Sequence, residues 1–122
     1  MGRKVLLVED QEDNRRILRD LLTSAGYEIR EALTGEDGIR LADEYRPDLI
    51  LMDIQLPGVD GYEAARQIKA NPALRAIPII AVTSYALSGD DAQALEAGCE
   101  AYVAKPFSRR ALLAKVREYL GG

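Results

Sequence analysis

The chain has 122 residues, 48% of them apolar and 30% charged, with a formal net charge of −4 and no histidine. That length suits one domain with a sizeable core, and the acidic balance argues against nucleic-acid binding, which rests on clustered Lys and Arg. No apolar run approaches the ~20 residues of a membrane span, no signal peptide is visible, and the lone Cys99 excludes an intrachain disulfide and fits a reducing, cytoplasmic setting.

The first apolar run, Val5 to Val8, predicts strand β1 at 4–8, and it leads straight into Glu9-Asp10. Helix α1 is predicted at about 12–25, with Ile17, Leu18, Leu21 and Leu22 as its apolar stripe and Gly26 ending it. Strand β2 at 27–32 alternates Tyr27 and Ile29 against Glu28 and Arg30, the pattern of an edge strand with one buried face. Helix α2 starts at Thr34, with Asp37 placed as in a capping box. Strand β3 at 48–52 is wholly apolar after Asp48, runs into Asp53 and is followed by the Leu56-Pro57-Gly58 turn. Asp60 caps α3, with Glu63 in the capping-box position, and Asn71-Pro72 closes it. Strand β4 at 77–82 runs into Thr83-Ser84. Ser88 caps α4, which ends near Gly98. Strand β5 at 101–104 runs into Lys105-Pro106, and Ser108 caps α5, which carries Leu112, Val116 and Leu120.

Continuous apolar strands alternating with helices predict an α/β fold, a flavodoxin-like three-layer (βα)5 arrangement around a parallel five-stranded sheet. The polar-striped β2 belongs at one edge and the short β5 at the other, which favours the order 2-1-3-4-5. No repeat, low-complexity stretch or linker interrupts the chain, so residues 1–122 read as a single domain.

Ligands of open α/β sheets bind beyond the carboxyl ends of the strands, and order 2-1-3-4-5 puts the ends of β1 and β3 at the switch point. Glu9, Asp10 and Asp53 would then share a pocket with Thr83 and Lys105. Each has a plain alternative. Glu9-Asp10 could help start α1, Asp53 could be a turn residue, Thr83-Ser84 loop or cap residues, and Lys105-Pro106 a charged strand exit. Such residues at four strand ends together favour a common site. Three carboxylates against one ammonium need a further cation, and a donor set of oxygens without His or Cys selects a hard ion, Mg2+ over Zn2+.

The segments VLLVEDQEDNRRIL, DLILMDIQLPGVDGYE, IPIIAVTSYALSGD and AGCEAYVAKPFS resemble the receiver domain of two-component response regulators, the CheY-like superfamily. The wording of MDIQLPGVDG and AGCEAYVAKP is especially similar to stand-alone DivK-like regulators and to receivers fused to hybrid histidine kinases. The resemblance covers essentially the whole chain. It implies that Asp53 is the phosphoacceptor for a phosphoryl group carried by a histidine of a sensor histidine kinase or histidine phosphotransfer protein. Asp10, Asp53 and the backbone carbonyl of Gln55 would hold Mg2+, or Mn2+ in its place, with Glu9 ligating directly or through water. Lys105 would pair with the acids and then with the phosphoryl oxygens. Thr83 would move to the phosphoryl group, and Tyr102 would turn into the space it leaves. Gln55 and Tyr85 would modulate the phosphoryl lifetime, and Lys105-Pro106 would be a cis bond. The signal would leave through an α4-β5-α5 surface, including Ala86, Leu87, Tyr102 and Ala104, to a downstream protein target.

Other readings of the same topology fit less well. An Asp-nucleophile phosphatase would want a second acid two residues beyond Asp53, where Gln55 stands, and room for a substrate cap. A flavin module would need a hydroxyl-rich phosphate loop where Glu9-Asp10 would repel the phosphate. A receiver that docks partners without phosphorylation would not need the intact acids, Thr83 and Lys105. A receiver excised from a hybrid histidine kinase or multidomain regulator remains an alternative setting for the same chemistry.

Overall fold

The computed structural model describes residues 3–83 and 90–121. Five strands, β1 (Lys4–Val8), β2 (Glu28–Ala32), β3 (Leu49–Asp53), β4 (Ile79–Thr83) and β5 (Ala101–Ala104), form one sheet in the order β2-β1-β3-β4-β5. All four pairings are parallel. The helices are α1 (Glu12–Ser24), α2 (Gly35–Tyr45), α3 (Gly61–Ala70), α4 (Asp90–Glu96) and α5 (Arg109–Leu120). The expected architecture is the observed one.

Two cores sit on the two faces of the sheet, and alternation along the central strands sorts residues between them. Leu6, Val8, Ile50, Met52, Ile79 and Ala81 pack with Leu41 and Ala42 of α2, Ala64, Ala65 and Ile68 of α3, Ala94 of α4 and Ala97 just after it. Val5, Leu7, Leu49, Leu51 and Ile80 pack with Leu18 and Leu22 of α1 and Leu112, Val116 and Leu120 of α5. Burial on both faces explains why these strands read as unbroken apolar runs. Cys99 lies in the first of these cores, free and buried, and burial pushes its thiol up to about 12. It is a packing residue in the thiol form.

Helix starts follow the local chemistry. The side chains of Thr34, Asp60 and Ser108 accept from the backbone N–H groups of Asp37, Glu63 and Ala111, satisfying donors that the first turn leaves unpaired. Asn71 ends α3 in an extended conformation, as the following Pro72 demands. Ser88, the expected cap of α4, lies outside the described residues, as do Ser84, Tyr85, Ala86 and Leu87.

Strands β1 and β5 have the expected bounds, and those of β2, β3 and β4 differ from expectation by one or two residues. Strand β4 begins at Ile79 because the Ile77 N–H turns back to Leu74, while Pro78 has no N–H and offers only its carbonyl, to Ile50. Glu100 completes that start by accepting from the Ile79 N–H at 2.7 Å, and Lys69 bonds both Glu100 and the carbonyl of Ile77. Strands β3 and β4 each run one residue further than expected. Asp53 and Thr83 are therefore the last residues of strands, held by the ladder.

Ile17 also departs from its expected place. The buried face of α1 centres on Leu18 and Leu22, four residues apart, and leaves Ile17 41% exposed. It lines a groove of about 490 Å³ with Asn14, Lys105, Pro106 and Phe107. Leu22→Ala should cost about 2–5 kcal/mol through transfer and cavity terms, whereas Ile17→Ala should cost under about 1 kcal/mol. Urea unfolding midpoints of the two variants, read against the parent chain, check this difference.

Candidate functional site

The carboxyl ends of β1, β3, β4 and β5 meet on one side of the sheet. Glu9 follows Val8 immediately, and its N–H is tied to the carbonyl of Ala32 at 3.0 Å. Asp53 still takes part in the sheet: it pairs with Val82, and the Ile54 N–H donates to the Val82 carbonyl at 3.1 Å. Lys105 lies just past β5, where its N–H donates to the Thr83 carbonyl at 2.7 Å. The Lys105–Pro106 peptide bond is cis.

Glu9, Asp10 and Asp53 offer carboxylate oxygens that all lie within 4.8 Å of one another. Glu9 is 1% exposed and Asp53 2%. Lys105 Nζ sits between them, 3.4 Å from Glu9 Oε1 and 3.4 Å from Asp53 Oδ2. The other oxygens of these two acids accept backbone N–H groups, Gln11 on Glu9 Oε2 and Gln55 on Asp53 Oδ1, each at 3.1 Å. Asp10 is different. Its Oδ1 is buried and has no hydrogen-bond partner.

This is an electrostatically unfinished cluster. Like unit charges about 4 Å apart repel by about 4 kcal/mol at an effective dielectric near 20, and one ammonium cannot offset three carboxylates. Glu9 responds by holding its proton. Burial above all, then its hydrogen bond to and repulsion by Asp53, raise its carboxyl from the ordinary 4.5 to about 7, against the Gln11 N–H and Lys105. An orphaned buried oxygen beside two more acids, with no nitrogen or sulfur donor in the group, fits a hard divalent cation.

Two glycines let the helices close on this cluster. A Cβ on Gly61, the first residue of α3, would run into the carbonyl oxygen of Asp53 and the Cα of Ile54. A Cβ on Gly35, at the start of α2, would meet the carbonyl oxygen of Val59 in the β3–α3 turn. The turn bearing the exposed Gln55 is thus packed backbone to backbone against α2 and α3. Those contacts join distant segments, and the glycines alone did not reveal them.

The remaining expected residues fall around the site at different depths. Thr83 is buried, 1% exposed, opposite Ala104 in the ladder. Tyr102 is half-buried two residues earlier on β5, opposite Ala81, and packs against the α2-α3-α4 core. It lines a groove of about 310 Å³ with Leu95, Glu100, Ala101, Lys115 and Tyr119. Tyr85 lies outside the described residues.

Glu9 gives the site a pH signature. A carboxyl that titrates higher in the folded than in the unfolded chain favours folding while protonated, and that contribution is lost as pH rises through its folded value. The metal-free protein should therefore lose stability through this group between about pH 5 and pH 8, and Glu9→Gln should lack that loss. Denaturant midpoints across that range, in chelator, check the slope.

Comparison with known proteins agrees with this geometry. Residues 5–117 match the response regulator receiver domain family. The chain is 46% identical over 121 residues to the polar-differentiation response regulator DivK of Brucella anthropi, covering 99% of this chain and 98% of that protein. Among solved structures it is similar to the receiver domain of a sensor histidine kinase from Pseudomonas aeruginosa PAO1, solved with a magnesium ion coordinated in its active-site cleft. That likeness has a TM-score of 0.93 and 41% identity, with all of both chains covered. A receiver domain of a signal transduction histidine kinase from Syntrophus aciditrophicus superposes with a TM-score of 0.91 at 32% identity, covering 99% of this chain and 92% of that one. The chain belongs to the response regulator receiver domain family.

Proposed function

We propose that this receiver domain works as a phosphorylation-controlled interaction switch, with Asp53 as its phosphoacceptor. The carrying observation is the setting of Asp53: a buried carboxylate 3.4 Å from an ammonium and grouped with two further acids, one of which has an unpartnered buried oxygen. Asp10, Asp53 and the Gln55 carbonyl would hold Mg2+, or Mn2+ in its place, with Glu9 close enough to ligate directly or through water. The bound ion supplies charge neutralisation for an incoming phosphoryl group.

The chain itself supplies the nucleophile and the positioning. A carboxylate oxygen of Asp53 attacks phosphorus, the bond from phosphorus to the partner's imidazole nitrogen breaks with its electron pair leaving on nitrogen, and an acyl phosphate remains. Lys105 passes from the carboxylates to the phosphoryl oxygens, a stabilisation that preorganised charge provides at low cost. The donor histidine must belong to a sensor histidine kinase or histidine phosphotransfer protein, because this chain has none. The protein is a phosphoacceptor that assists its own phosphorylation and dephosphorylation, and no turnover of a separate substrate is assigned to it. Gln55, exposed beside Asp53, and Tyr85 are assigned to the lifetime of the acyl phosphate.

Output follows from Thr83 and Tyr102. Drawing the Thr83 hydroxyl toward the phosphoryl group leaves room for the Tyr102 ring, and the two states are weighted by their differential interaction with that group. The surface affected is α4-β5-α5, where Leu95 is 65% and Tyr119 37% exposed around the Tyr102 groove, so a downstream protein target docks there. Among the described residues no helix is long and apolar enough to cross a membrane. The setting assigned is the cytoplasm, with residues 1–122 acting as one receiver unit and neither nucleic acid nor membrane as a partner. A stand-alone regulator and the receiver of a hybrid kinase would use this chemistry alike, and relatives of both kinds match.

Acetyl phosphate or phosphoramidate should label the protein only with Mg2+ or Mn2+, and borohydride trapping with mass spectrometry should place the label on Asp53. Undiminished labelling of Asp53→Asn would end this reading. Thr83→Ala should still be labelled, yet show amide NMR shifts with beryllofluoride that are much reduced on α4-β5-α5. Full parental shifts there would remove Thr83 from the coupling.

A further inference from the structure

We propose that Arg15 is a positioning residue for the acid cluster, holding the backbone that carries Glu9 and Asp10, and that Glu31 on the edge strand holds Arg15 in turn. The inference rests on the cation site of the proposed function above and adds to that site a support reaching from α1 to β2.

Asp10 poses the problem that Arg15 answers. Its buried Oδ1 has no hydrogen-bond partner, so no bond to that oxygen fixes its direction. The backbone has to aim it. Arg15 sits one turn into α1, and its guanidinium reaches back over the β1–α1 turn. One Nη donates to the carbonyl of Glu9 at 3.2 Å and to that of Asp10 at 3.3 Å. Its Nε lies 3.1 Å from Glu31 Oε1, and Arg19 bonds the same carboxylate at 3.3 Å. Glu31 stands just before Ala32, whose carbonyl accepts the Glu9 N–H. The Glu9 residue is thus gripped at both its N–H and its carbonyl, and both grips originate at the end of β2.

A plain surface ion pair would explain less. Exposed pairs contribute little, but the Arg15 side chain is only 17% exposed and spends its donors on two main-chain carbonyls as well as a carboxylate. It touches no carboxylate of the cluster in this arrangement, which separates its role from that of Lys105. A planar guanidinium can span carbonyls and carboxylate together, and an ammonium cannot match that fork. Groups one step removed from a metal's ligands set their direction, and losing one typically weakens metal affinity about 10-fold or more.

Mg2+ titration calorimetry of the full chain tests this, with Arg15→Gln, Arg15→Lys, Glu31→Gln and Arg16→Gln beside the parent. Arg15→Gln should weaken Mg2+ binding about 10-fold, with Arg15→Lys and Glu31→Gln intermediate. Arg16→Gln removes the same charge from the exposed face of the same helix and should stay within about twofold of the parent. With acetyl phosphate, Arg15→Gln should raise the half-saturating Mg2+ concentration far more than it lowers the labelling rate at saturation. Parental Mg2+ affinity in Arg15→Gln, or an equal loss in Arg16→Gln, would overturn the inference while leaving the phosphoacceptor reading intact. If Arg15→Gln does not fold, unchanged affinity in Glu31→Gln overturns it equally. A parent chain that binds Mg2+ but takes no label defeats the functional reading alone, and one that binds no Mg2+ defeats both.

Discussion

The constraint on which the rest depends is the crowding of three carboxylates, two of them buried, beside one ammonium. Removing like charges from water and placing them within a few ångströms of each other is among the most expensive arrangements a small domain can carry. The chain carries it without full compensation: Glu9 keeps its proton to about neutral pH and Asp10 leaves an oxygen unpartnered. Local sequence and global fold agree almost everywhere else, and places where they disagree are where function is expected. In the proposed reading that cost is recovered when positive charge enters, so the cluster would respond to a cation and accept a phosphoryl group.

Much of the fold serves to hold that cluster together. Strands β1 and β3 are neighbours, in register from Val5 opposite Leu49 to Val8 opposite Met52, so Glu9-Asp10 and Asp53 emerge side by side. The two apolar cores make this sheet stiff on both faces. Ladder bonds continue up to the functional residues, and glycines at the starts of α2 and α3 let backbone press on the turn behind Asp53. Rigid placement of this kind is what charge stabilisation requires, since preorganised groups need not rearrange as the reaction proceeds.

Much of this was legible in the sequence, for physical reasons. Apolar runs buried on both faces read as parallel strands, and capping residues such as Thr34, Asp60 and Ser108 announce helix starts within a few residues. The acids and Lys105 could be brought together because topology alone puts strand ends side by side. What stayed hidden depends on contacts between distant segments. Ile17 read as part of a buried stripe, but its burial depends on where α5 and the β5–α5 turn lie, and they leave it lining a groove. The start of β4 depends on Pro78 meeting Ile50 and on Glu100 meeting Ile79. The grip of Arg15 and Glu31 on the acid turn joins three elements, and in sequence those residues look like ordinary helix and edge-strand charges.

The central claim is that the acid cluster is built around a cation at Asp10, and thermal unfolding with and without Mg2+ tests it most directly. Asp10→Asn should leave the metal-free protein at least as stable as the parent, since one of several repelling charges is gone. Mg2+ at 10–100 times its Kd should stabilise the parent by about 1–3 kcal/mol, and most of that gain should vanish in Asp10→Asn. Equal stabilisation of both proteins by Mg2+ would contradict the account, because the ion would then be binding somewhere other than the cluster.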